Sequence, residues 1–205
     1  MTGHSNSVKK EGHVTPVSDT RGIELVICDP AWFDPKKTFT IANAPKRTAS
    51  LEFSGSDLNF MARVLYAESS GSGQLQDKAE RDKEKEAIIN VNHFRLNRKN
   101  YPSLSYIATT FRMVCEAPNQ FESVSPTNLK LTKSAEFVCE KLIKTECKDL
   151  DEAISAVRDF IQAGPNDAYV YDNFRGYKPN GNGTHIGYSR FWLSPKGKEL
   201  FEKTP

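Results

Sequence analysis

The chain reads as an α+β fold, mostly helical, with a small antiparallel sheet. Three observations predict it. Between about residues 57 and 164, apolar side chains recur at the three-and-four spacing of helices. After Pro165 the pattern changes to short runs rich in aromatic and β-branched residues. Between two of those runs lies Asn180-Gly181-Asn182-Gly183, a turn signal.

Residues 1–22 are polar and poor in large apolar side chains, and read as a flexible lead-in. Ile23–Cys28 is a β-branched run stopped by Asp29-Pro30, hence a strand, and Thr38–Ile41 is a weaker one. Residues 1–50 form this lead-in with its short strands; residues 51–205 form the main domain. Ser56 or Asp57 can cap a first helix with Leu58, Met61 and Leu65 on one face, stopping before the flexible loop Gly71-Ser72-Gly73. A second helix spans Asp77 to Asn97. Its charged start is solvated and its later half buries Ala87, Ile88, Val91 and Phe94. A short helix follows around Ile107 and Phe111. Thr132–Glu146 is a further helix, and Asp149 caps another that ends at Gly164-Pro165. Ala168–Asp172 and Ile186–Leu193 are strands.

Composition narrows the function classes. With 28 Lys+Arg against 26 Asp+Glu among 205 residues, the chain lacks the basic excess of a dedicated nucleic-acid binder. No apolar run approaches the roughly 20 residues of a membrane span. Cys28, Cys115, Cys139 and Cys147 include no C-x-x-C, and His4, His13, His93 and His185 show no H-x-x-x-H spacing. No metal site and no cofactor is therefore expected. The N-terminal residues lack the apolar core of a secretory signal.

Glu68 is the candidate acid. Each helical residue advances about 100°, so Glu68 lies about 20° from Met61 around the axis. A carboxyl group thus sits at the C-terminal end of an apolar stripe, beside a Gly/Ser-rich loop. Apolar surroundings and a helix C-terminus both favour the protonated form. Glycosidic cleavage uses such an acid. Taken on its helix alone, the favoured reading is that Glu68 emerges into solvent as the helix ends, since charges near helix ends are common.

The run RVLYAESSGSGQ, followed by AIINVNHFRLNRKNYP, then Gln120-Phe121, then a Tyr171-x-Asn173 tail and IGYSRFW, resembles the SleB-like cell-wall hydrolase family. The resemblance covers roughly Leu58 to Leu193. It implies a lysozyme-like, transglycosylase-type fold that cleaves peptidoglycan glycan strands. The family acid falls on Glu68. The family pattern of Asn-Arg, an aromatic and Pro falls on Asn97, Arg98, Tyr101 and Pro102. The chain departs from the family at Ser189, where a His is usual, and in the extra charged segment around KAERDKEKE. The N-terminal 50 residues have no counterpart.

What the resemblance implies is a lytic transglycosylase. Glu68 would protonate the oxygen between N-acetylmuramic acid and N-acetylglucosamine, then take the proton of the muramic C6 hydroxyl, leaving a 1,6-anhydro end. The alternatives are a hydrolytic muramidase and a phage-type endolysin; a simple hydrolase would need a second carboxylate. Asp77, Glu80, Glu116 and Glu122 are conceivable, but Glu80, Glu84 and Glu86 are interleaved with Lys and Arg and read as a solvated face. Gln120 and Phe121 suit a sugar groove, one by its amide and the other by its stacking face; the alternative is a turn with Phe121 in the core. Tyr171 and Asn173 would line one face of a strand with Tyr169. Rival readings are a non-catalytic relative that binds cell wall or protein, and a cysteine amidase or peptidase. A glycan-cleaving chain without a signal peptide is expected to reach the envelope of a target cell by specialised secretion or by lysis. An antibacterial effector of that kind implies a cognate immunity protein.

Overall fold

A computed structural model of the chain describes residues 17–18, 24–25, 33–41, 51–96, 98, 101, 103, 106–124, 144–176 and 180–202. Among them are seven short strands and five helices, an α+β architecture with only antiparallel pairing. Strands β1 (Val17–Ser18) and β2 (Glu24–Leu25) pair with each other. Strand β3 (Thr38–Ile41) pairs with β4 (Leu51–Ser54), placing Phe39 opposite Phe53. Phe33 and Ile41 are buried in the main core, so part of the segment before residue 51 packs into the main domain.

Helix α1 (Gly55–Glu68) continues from β4 without a loop. Ser54 is its cap: the backbone is extended there, and the hydroxyl accepts from the Asp57 N–H at 3.1 Å. Neither Ser56 nor Asp57 takes that role. Asp57 instead accepts the N–H groups of Phe111 and Arg112 at 3.0 and 2.9 Å, joining α1 to helix α3 (Phe111–Cys115). Gly55 is dictated by close approach, since a Cβ there would fall 1.7 Å from the Asp34 carbonyl oxygen.

Helix α2 spans Lys78–Arg95, with Asp77 as its cap. Helix α4 spans Lys144–Ala163. It runs straight through Asp149, which is therefore no cap; a helix reads through an Asp when its apolar face has a core to fill. The remainder of the expected Thr132–Glu146 helix lies outside the described residues. Gly164, at φ 77°, ends α4 and donates its N–H to the Phe160 carbonyl at 2.9 Å. Leu58, Met61 and Leu65 of α1, Ile88 and Val91 of α2, and Ala153 and Val157 of α4 are all fully buried together.

The three-stranded sheet has the order β5-β7-β6, built from Asn173–Gly176, Ser189–Trp192 and Thr184–Ile186. Two expectations change here. Ala168–Asp172 is not strand; pairing begins at Asn173, opposite Trp192. The expected strand Ile186–Leu193 is interrupted by a hairpin turn at Gly187-Tyr188, where Gly187 takes φ 60°: Ile186 ends β6 and Ser189–Trp192 forms β7. A last helix, α5 (Pro195–Glu202), completes the described chain.

Candidate functional site

Glu68 is the final residue of α1 and is half-buried. The helix stops just after it because Ser69 caps twice: its N–H and its hydroxyl both donate to the Leu65 carbonyl, at 2.9 and 2.6 Å. Glu68 Oε1 accepts the backbone N–H of Ser123 at 3.1 Å. The carboxyl group is thereby brought against the loop that carries Gln120 and Phe121.

The turn after Glu68 is held from below by α2. Glu84, 1% exposed, accepts the Ser70 N–H at 2.9 Å with one oxygen and the Ser189 hydroxyl at 2.6 Å with the other. Ser189, the position departing from the family pattern, thus ties β7 to α2. Lys85 donates to the Ser70 carbonyl at 3.4 Å. Arg81 donates to the Leu75 and Gln76 carbonyls at 2.6 and 2.9 Å and makes a two-pronged pair with Glu152 at 2.8 and 2.6 Å. Asp149 accepts the Ser72 N–H at 2.8 Å. The expectation of a solvated start to α2 is corrected: Arg81, Glu84 and Lys85 are among its most buried side chains. Their charge is tolerated there because each faces a carboxylate, carbonyl or N–H group. The loop Gly71–Gly73 is likewise tied down rather than free.

The binding candidates meet in a second network. Phe121 lies 5.6 Å from Phe174, Phe174 stacks on Phe191 at 5.7 Å, and Tyr171 lies 5.6 Å from Phe191. The Arg95 guanidinium sits over Tyr101 and Phe121 at 5.1 and 5.7 Å. It donates to the Asp172 carbonyl at 2.8 Å and reaches Asn173 Oδ1 at 3.5 Å. Gln120 accepts the Tyr101 hydroxyl at 2.6 Å. Burial pushes the Tyr101 phenol up to about 12. Gln120, Phe121, Tyr171 and Asn173 are therefore joined through these contacts, and Ser123, two residues beyond Phe121, connects them to Glu68. Phe121 and Tyr171 are half-buried and serve packing as well. Tyr169, expected on the same strand face, precedes the strand and donates its hydroxyl to Glu86 at 3.0 Å.

Asp172 is the pivot of this network. It accepts from Arg98 at 2.9 Å, from the Ser194 N–H and hydroxyl at 2.7 and 2.5 Å, and from Asn173 at 2.7 Å. Burial alone would raise its carboxyl, but Ser194 and Arg98 more than offset this and hold it below the ordinary value. Sequence reasoning does not single out Arg95, Asp172 or Glu84. A signal for two of them is present all the same: Glu84, Ile88, Val91 and Arg95 fall at i, i+4, i+7 and i+11, one stripe of α2. Asn97 and Pro102, also in the family pattern, lie outside the described residues.

Three of the conceivable second carboxylates are engaged elsewhere. Asp77 caps α2, Glu80 pairs with Lys83 at 2.8 Å, and Glu116 pairs with Arg112 at 3.0 Å. Glu122 is exposed and precedes Ser123. Cys115 is fully buried, with its thiol pushed well up by that burial, a poor setting for a nucleophile. Cys147 is in a disulfide, while Cys28 and Cys139 lie outside the described residues. Among the described residues no group of His, Cys, Asp and Glu is arranged to hold a metal ion, and no helix is long and apolar enough to cross a membrane. A cleft of about 240 Å³ between α2 and α4 is lined by Asp82, Glu86, Asn90 and Glu152 among others, and none of the five candidate residues reaches it. Among known proteins, no family model matches the chain, and neither a curated protein nor a solved structure is similar to it.

Proposed function

We propose that this chain cleaves the glycan strands of peptidoglycan, with Glu68 as the acid, as a lytic transglycosylase. The observation that carries the reading is the placement of Glu68. A carboxyl group ends an apolar helix, half-buried, on a turn anchored by Glu84, and it faces a loop bearing an amide and an aromatic ring. The order of motifs from RVLYAES to IGYSRFW supports the same reading. One acid that becomes one base is sufficient when the attacking hydroxyl belongs to the substrate, because an intramolecular nucleophile acts at high effective concentration. The engagement of Asp77, Glu80 and Glu116 with other groups favours that route over hydrolysis. As an effector delivered into the envelope of a target cell, the chain would have a cognate immunity protein as partner.

Glu68→Gln keeps the shape of the side chain and removes the transferable proton. It should fold normally and lose nearly all clearing of a cell-wall suspension; wild-type clearing by this variant refutes the assignment. Mass spectrometry of the borohydride-treated digest then reads the mechanism, anhydro-muramic ends for the transglycosylase and reducible muramic ends for a hydrolase. Glu122 is the one observation favouring the second outcome. It is exposed, next to the residue that contacts Glu68, and makes no hydrogen bond or ion pair among the described residues. Under hydrolysis Glu122→Gln should abolish turnover; under transglycosylation it should not.

A further inference from the structure

The three-stranded sheet has a face that its core contacts do not use. Phe174 of β5 and Phe191 of β7 pack into the core, so the alternate positions Arg175 and Arg190 leave from the other side. Arg175 stands directly opposite Arg190, and His185 of β6 stands opposite Arg190 on its other flank. Three basic side chains thus cross the sheet in one row about 10 Å wide. Like charges placed opposite each other weaken a sheet. Among the described residues none of the three forms an ion pair with a carboxylate, so the row is not neutralised from within. Arg175 and His185 are exposed. Arg190, between them, is fixed in place. Its guanidinium lies over the Trp192 ring at 5.0 Å, and its Nη1 donates to the Asn180 carbonyl. The Asn180-Gly181-Asn182-Gly183 turn is built against it: Gly181 takes φ 126°, and a Cβ there would collide with the guanidinium. A turn shaped around one arginine holds that charge at the surface.

We propose that this row binds the carboxylates of the peptide stems of peptidoglycan, so that the chain prefers glycan strands whose stems are acidic. The proposal rests on the glycan-cleaving reading and extends it from sugar to stem. The lactyl carboxyl of muramic acid is amide-bonded to the stem, which leaves the glycan backbone uncharged and places the substrate's carboxylates on its side branches. The row is placed for such a branch. Asn173, one of the sugar-binding candidates, starts β5 opposite Trp192, and Arg175 and Arg190 are the next pair on the same face, about 7 Å further along. A guanidinium meets a carboxylate through two parallel hydrogen bonds, and two guanidinium groups side by side match the carboxylates of a short acidic peptide.

The test compares two synthetic hexasaccharides of alternating N-acetylglucosamine and N-acetylmuramic acid. One carries L-alanyl-D-glutamate stems with free carboxylates; the other carries the corresponding diamide. The full-length wild-type chain should cleave the acidic form with a kcat/KM about three to ten times higher, the effect of two exposed ion pairs. That advantage should shrink as salt is raised from about 0.05 to 0.5 M, because screening then acts over shorter distances. Arg175→Gln should lose most of the advantage and melt no lower than the wild type, since it also removes a like-charge contact. A protein that clears cell walls but cleaves the two oligosaccharides equally, or cleaves neither, keeps glycan cleavage and refutes the stem contact. One that neither clears walls nor cleaves the oligosaccharides refutes both. An undiminished advantage in Arg175→Gln, or one that high salt leaves unchanged, also refutes the stem contact. Should Arg175→Gln fail to fold, the salt dependence of the wild-type ratio decides.

Discussion

Two buried clusters in this chain each gather two cations around a central carboxylate, and differ in how completely the charges are paired. At the start of α2, Arg81 grips Glu152 with two bonds, Lys85 approaches the same carboxylate at 3.6 Å, and loop carbonyls take the remaining donors. At its end, Arg98 and Ser194 saturate Asp172, while Arg95 keeps an unpaired nitrogen and Arg98 an unpaired Nε. The first cluster is closed: every charge has a fixed partner inside the protein. The second is open beside the binding candidates. Buried charge of the first kind secures a loop; that of the second kind leaves donors unpaired, at a cost in stability.

The comparison can be broken most directly at Glu152. Glu152→Ala strands two buried cations and should cost about 3–5 kcal/mol of stability, read as a lower urea midpoint. A loss below about 1 kcal/mol would mean that the closed cluster is not closed. Asp172→Asn removes one charge but keeps the shape and some of the hydrogen bonds to Ser194. A loss of about 2–3 kcal/mol is expected by thermal melting.

Acid should act on both clusters in the same direction. In each case burial raises the carboxyl, but the partners outweigh it and hold the folded value below the unfolded one: Arg81 and Lys85 for Glu152, Ser194 and Arg98 for Asp172. A depressed carboxylate stabilises the fold above its unfolded pKa, about 4, and that contribution is lost as pH falls through the folded value. Melting temperature should therefore fall below about pH 4, and Asp172→Asn should flatten the decline. The smallest effect is expected at Arg95. Arg95→Met replaces a poorly compensated charge with a similar apolar volume, so stability should change by about 1 kcal/mol or less, whereas Arg81→Met should cost several times as much. Equal losses at the two arginines would erase the distinction.

Much of the helical half is legible because its signals are local. Leu58, Met61 and Leu65 are fully buried, as their spacing requires, and the same spacing locates Glu68 at the end of the stripe. Asp77 and Gly164 mark helix ends by backbone chemistry that needs no distant partner. The misread parts depend on distant ones. Arg81, Glu84 and Lys85 resemble a solvated face, since Lys and Glu alternate there; what buries them is Glu152, 71 residues away from Arg81, and Ser189, 105 away from Glu84. Likewise, alternation alone assigns Tyr171 and Asn173 to one strand face. The strand starts only at Asn173, where pairing with Trp192 becomes available, so the two residues meet the site by different routes.

The stretch from Ser69 to Gln76 has the composition that proteases favour, small and polar and free of β-branched residues. A protease must draw several residues of its substrate into an extended strand and bind their backbone groups. Here those groups are already committed: the N–H of Ser70 to Glu84, the N–H of Ser72 to Asp149, and the carbonyls of Ser70, Leu75 and Gln76 to Lys85 and Arg81. Even a methyl group at Gly71 would meet Asp149 at 2.3 Å, so the segment has no slack to be pulled outward. Cutting the chain beside Glu68 would first require taking apart the ion cluster beneath it, so a segment of cleavable composition is held as firmly as the ion pairs under it.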